Sequence, residues 1–141
     1  MEEHFKEYNE IINRINESLM QIRGYKEAMT LKGISYSAIP KSTSLNADIA
    51  FYLGEIAEIE ENIKELKEKR DALKKKHEQE INKLSDNRYK TIIRMIYLEK
   101  LPINKVADVL EISVSHTKKL KRKAVEEFLR VNNKLIPNDT N

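Results

Sequence analysis

The chain has 141 residues, 35% of them charged, with no Cys and a net charge of +3 at pH 7. Without cysteine there are no disulfides and no thiolate metal sites, and no run of 18 apolar residues exists to span a membrane. With three Gly, three Pro and only 6% aromatics, the composition predicts an all-α fold of long helices rather than one large core.

The N-terminus, MEEHFKEYNE, is acidic and amphipathic, unlike a signal peptide. The expected location is cytoplasmic, with no membrane partner. From about Glu3 to Met29 the apolar spacing alternates threes and fours. Phe5, Ile12, Leu19 and Lys26 take heptad position a, and Tyr8, Ile15, Ile22 and Met29 take position d. So narrow an apolar stripe needs a partner helix to cover it.

Residues 31–46, LKGISYSAIPKSTSLN, contain Gly33, Pro40 and five Ser/Thr, and read as a loop. Ser44 or Asn46 is the expected N-cap of the next helix, with Asp48 in its first turn. That helix runs to about Leu84 on Ile49, Tyr52, Ile56, Ile59, Ile63, Leu66 and Leu73, then Ile81 and Leu84. The repeat shifts by four after Leu73 and leaves Arg70 and His77 on the seam, a stutter that locally unwinds a coiled coil. The other face alternates Glu and Lys, as a solvated face does.

Charge is unevenly placed. Residues 85–131 hold eleven Lys/Arg against six Asp/Glu, a net of +5, while residues 1–84 are at −2. A polyanion would meet the C-terminal part. There, Ser85 or Asp86 starts a new helix or the long helix runs on. Tyr89, Ile92, Ile93, Ile96 and Tyr97 form an apolar stripe ending near Glu99, and Pro102 opens a short helix. Within PINKVADVLEISVSHTKKLKRKAVEEFL (102–129), Val106, Ala107 and Leu110 share a face, and Ala107 marks the closest approach of two crossing helices. Ile112 fills the corner and Ser113 caps the second helix. Val114, Thr117, Leu120 and Ala124 are expected inward. Ser115, His116, Lys118, Lys119, Arg122 and Lys123 are expected outward. Glu111 stands where such corners often have Gly, and is expected to take another turn form. This is the pattern of a helix-turn-helix whose second helix enters the DNA major groove.

The expected organisation is therefore a coiled-coil helical hairpin over residues 1–84 (helices about 3–30 and 45–84), a helix-turn-helix domain over 85–131 and a flexible tail over 132–141. Two helices bury little alone, which favours a homo-oligomer, a dimer or higher. An enzyme is not expected. His4, His77 and His116 are far apart in sequence, no phosphate loop or nucleophile elbow is present, and no cofactor or metal site is expected. His77 reads as a tolerated polar position on the seam.

The stretch 102–129, with the preceding YKTIIRMIYLEKLPINKVADVL, resembles the fourth region of bacterial sigma factors, which reads the −35 promoter element. With the coiled-coil N-terminus and the segment GISYSAIP, the chain is similar to small phage and prophage proteins of Gram-positive bacteria. These include RinA/ArpU-type late-gene regulators and an uncharacterised family. The sigma-like part covers about a third of the chain. The resemblance implies base contacts from Ser115, Lys118 and Lys119, and backbone contacts from His116 and Arg122. Lys118 and Lys119 stand where sigma factors usually have Arg and Gln, so the same promoter element is not implied. The first 84 residues offer no candidate for the region that melts promoter DNA or recognises the −10 element, so an independent initiation factor is not expected. The expectation is a sequence-specific transcriptional regulator that binds double-stranded DNA, with RNA polymerase as a further possible partner. Two alternatives stay open: a small-terminase-like DNA-packaging component, and a polymerase-binding module that does not touch DNA.

Overall fold

The computed structural model describes the backbone of residues 1–33 and 43–133 and the side chains of 1–33 and 47–133. The second long helix begins at Thr43, so Ser44 and Asn46, the expected caps, lie within it rather than ahead of it. Of the expected tail 132–141, residues 134–141 lie outside the described residues. The all-α expectation holds, with no strand among the described residues. A 3-10 turn, Glu3–Phe5, leads into α1 (Lys6–Leu31), followed by α2 (Thr43–Ile81), α3 (Asn87–Ile93), α4 (Ile103–Leu110) and α5 (Val114–Val131). No described helix is long and apolar enough to cross a membrane. The chain forms two compact units: 1–9 with 72–141, and 10–71. The expected boundary between residues 84 and 85 falls inside the first of these.

In the unit 10–71, Ile15, Ile22 and Met29 of α1 are buried, as are Ile49, Ile56, Ile63 and Leu66 of α2. Lys32 Nζ pairs with Asp48 Oδ2 at 3.1 Å, and the Tyr25 and Tyr52 rings lie 6.0 Å apart. Arg14 and Glu17 share a groove with Glu65 and Lys69. Late α1 thus meets early α2 and early α1 meets late α2, so the two stretches run antiparallel. Within this unit the d positions bury as expected, but the a positions from Ile12 onward do not. Leu19 is 47% exposed and Lys26 is exposed, while Ile11, one residue before Ile12, is buried. The contact stripe is turned by one position. A seam through Lys26 would bury an ammonium, whereas one through Tyr25 sets its ring against Tyr52.

In the other unit, α2 ends at Ile81 and does not run on. Asp86 caps α3, its Oδ1 accepting from the Arg88 N–H at 2.8 Å. The chain continues from α3 into a widened π turn, Arg94–Leu98, where the Glu99 N–H reaches Arg94 O at 3.0 Å and the Leu101 N–H reaches Met95 O at 2.9 Å. Lys100 closes that turn at φ 55°. Pro102 is extended at φ −70°, ψ 155° and forms the cap of α4 rather than its first helical residue. Ile92, Val106 and Leu120 form the core joining α3, α4 and α5, with Tyr89, Met95, Ile96, Leu110 and Ile112 packed around it. The N-terminal segment belongs to this unit. Phe5 is fully buried, with its ring 4.6 Å from His77, 5.5 Å from Tyr97 and 5.6 Å from Phe128.

Candidate functional site

The corner between α4 and α5 sets the direction of α5. Glu111 is left-handed, φ 57° and ψ 40°, so it adopts the glycine-favoured conformation itself rather than another turn form. Two hydrogen bonds hold it there. The Ile112 N–H donates to Ala107 O at 3.1 Å and the Glu111 N–H to Asp108 O at 3.2 Å. This bond pair is the Schellman closure of a helix C-terminus, and Ile112 packing into the core supplies its usual apolar contact. The closure offsets the roughly 1–2 kcal/mol that a left-handed L-residue costs. Ser113 then opens α5, its Oγ accepting from the His116 N–H at 3.1 Å, while Thr117 Oγ1 donates to Ser113 O at 2.8 Å.

From that start, Thr117, Leu120 and Ala124 face inward and are buried. Val114 departs from expectation at 38% exposed. It lies in the first turn, ahead of the positions that enter the core. Ser115, His116, Lys118, Lys119, Arg122 and Lys123 are all exposed. Steps of three and four place Ser115, Lys118, Lys119 and Arg122 on one face, with His116 and Lys123 beside them. Among the described residues, none of Lys118, Lys119, Arg122 and Lys123 has an acidic partner. Lys121 differs: it is half-buried, with its ammonium 5.9 Å from the Tyr97 ring centroid. Among the described residues, the outward face of α5 therefore carries four cations without acidic partners, on a helix capped at its start by Ser113 and preceded by the Glu111 closure of α4.

A second constellation has no counterpart in the sequence expectations. His4 and His77 come together at Glu80. His77 Nδ1 lies 2.7 Å from Glu80 Oε1, and His4 Nε2 lies 2.8 Å from the same oxygen. His77 is 2% exposed and Glu80 8%. Burial holds the His77 imidazole below its ordinary pKa, against the opposing effect of the hydrogen bond that Glu80 accepts from it. Burial pushes Glu80 up, but its hydrogen bonds with His77 and His4 outweigh this, so its carboxyl sits below the usual value. The result is an ionised carboxylate between imidazoles. Asn132 fixes the same turn from behind, its Nδ2 donating to Glu80 O at 3.2 Å. The only sequence signal was the i, i+3 spacing of His77 and Glu80. Nothing in the order of residues links either to His4.

The model of a family described as a protein of unknown function, DUF1492, matches residues 48–129. The chain belongs to the DUF1492 family. No curated protein and no solved structure matches it. The DUF1492 match takes in His77, Glu80, the α4–α5 corner and all six outward residues of α5, and starts after His4.

Proposed function

We propose that this DUF1492 protein is a sequence-specific DNA-binding regulator of transcription that acts as an oligomer. The observation that carries the reading is the outward face of α5, with four cations that lack acidic partners among the described residues, on a helix that follows the Glu111 closure and starts at the Ser113 cap. A helix presented by a tight corner, with its early residues polar and basic, suits entry into the major groove. Ser115, Lys118 and Lys119, on one face of the first two turns of α5, take base edges, with Lys donating to guanine O6 and N7. His116, Arg122 and Lys123 meet phosphates. Resemblance to sigma-factor region 4 over residues 89–129 supports the same reading and points to promoter-proximal binding. Leu19 and Met20, 47% and 69% exposed in the unit 10–71, support association between chains.

The test is selection of bound duplexes from a random pool, followed by gel shifts on the enriched sequence. Lys118→Ala with Lys119→Ala is expected to weaken binding to that sequence by about 5- to 150-fold per lost base contact, which is worth roughly 1–3 kcal/mol. The circular dichroism should stay that of the wild type, because both side chains are exposed. Failure to enrich any sequence, or unchanged affinity in the double variant, sinks the reading.

A further inference from the structure

His77 and Glu80 stand one turn apart on α2 and so project from one helix face. His4 meets them from the N-terminal segment of the same compact unit. Their ligand atoms all lie within 4.8 Å of one another. Two imidazoles and one carboxylate form a donor set characteristic of zinc and of other divalent first-row ions. The surroundings are suited to holding such an ion out of bulk water. Phe5 and Phe128 lie 5.0 and 5.5 Å from the His4 ring, and Tyr8 lies 6.1 Å from the His77 ring.

We propose that His4, His77 and Glu80 bind one divalent metal ion of the zinc class. The inference is independent of the DNA-binding reading. Without the ion, each imidazole holds its proton toward Glu80 Oε1. With the ion, that proton resides on the other ring nitrogen, and the nitrogen now facing Glu80 offers its lone pair instead. Metal–ligand bonds of about 2.0–2.1 Å in a tetrahedral site set ligand atoms about 3.3 Å apart. The present 2.7 and 2.8 Å contacts open by about half an ångström, within the reach of small side-chain rotations. The ion would tie the N-terminal segment to the end of α2, two stretches separated by more than seventy residues of sequence. His116 lies exposed on α5 and belongs to no such cluster among the described residues.

The experiment uses full-length, tag-free protein stripped with EDTA and dialysed. Zn²⁺ is titrated by calorimetry, and Co²⁺ serves as an optical probe of the ligand set. The expected result is one ion per chain, visible d–d bands with Co²⁺, and a raised melting temperature with Zn²⁺. His4→Gln, His77→Gln and Glu80→Gln should each weaken binding by more than the roughly 10–100-fold that losing an outer-shell partner costs. His77 and Glu80 are buried, so their variants are read only if they fold. His4 is the most exposed of the three, and His4→Gln with wild-type circular dichroism decides the matter alone. Absence of stoichiometric uptake by the wild-type chain, or unchanged affinity in His4→Gln, overturns the site.

Discussion

At the residue scale, Glu111 and Ser113 do the most to aim α5. Glu111 takes a left-handed backbone at φ 57°. Gly adopts that conformation freely, but loses roughly 0.5–1 kcal/mol more chain entropy on folding. Glu111→Gly is therefore expected to stabilise the fold by about 0.5–1 kcal/mol, read as a higher urea midpoint at unchanged slope. Ser113→Ala should lower stability by about 1 kcal/mol, because the His116 N–H loses its acceptor. A lower midpoint for Glu111→Gly would mean that the Glu111 side chain contributes more than its backbone costs. Single residues were unevenly legible in the sequence. The outward set on α5 followed from helical spacing, because once Thr117, Leu120 and Ala124 point inward the residues between them cannot. The His4–Glu80–His77 cluster did not follow, because spacing reports neighbours within one helix and His4 arrives from the far end of the chain.

At the element scale, the helices were legible wherever apolar residues recur every three or four positions, and the breaks wherever a capping residue is present. Asp86 ends the ambiguity at the close of α2: its carboxylate satisfies the Arg88 N–H and so favours a fresh start for α3. The π turn at Arg94–Leu98 carries no such signal, since its residues suit an ordinary helix and its extra width comes from the turn that follows, with Lys100 left-handed. The α1 seam was misplaced by one position because a heptad pattern names two adjacent candidate stripes when its a row contains a lysine. Ala107 is 2% exposed on α4, which packs against α5, and its small side chain suits a close crossing. Ala107→Leu forces those helices apart, and overpacking of this kind costs typically 1–3 kcal/mol. The expected readout is a lower melting temperature together with weaker DNA binding, because α5 loses its bearing on α4. Ala107→Ser, nearly isosteric, should leave DNA affinity close to wild type. Equal loss in both variants would point to the polar change rather than the volume.

At the scale of the whole molecule, the question is whether one copy suffices. Leu19, Met20 and Phe51 are 47%, 69% and 58% exposed in the unit 10–71, where the one-position turn of the seam leaves Leu19 outside. Fully burying a large apolar side chain contributes about 1.5–3 kcal/mol. Covering what remains exposed of Leu19 and Met20 on each of two chains then supplies a few kcal/mol toward the entropy of association, which is itself of order 4–15 kcal/mol. These side chains alone do not complete a dimer, but placing charge on them removes a needed share. Wild-type protein is expected to sediment as a dimer or larger at micromolar concentration. Leu19→Glu with Met20→Glu should shift it to monomer while the helical signal stays, because neither residue lies in the buried seam. If DNA is gripped by two copies at once, the monomer loses the effective concentration of the second grip, which is worth about 10²–10⁴ in apparent affinity. The slope of log affinity against log salt should then roughly halve, since half the phosphate contacts are gone. A wild-type monomer would remove the oligomer from the proposal and leave a single α5 to bind alone. A ring of eight or more subunits would instead favour a role in DNA packaging.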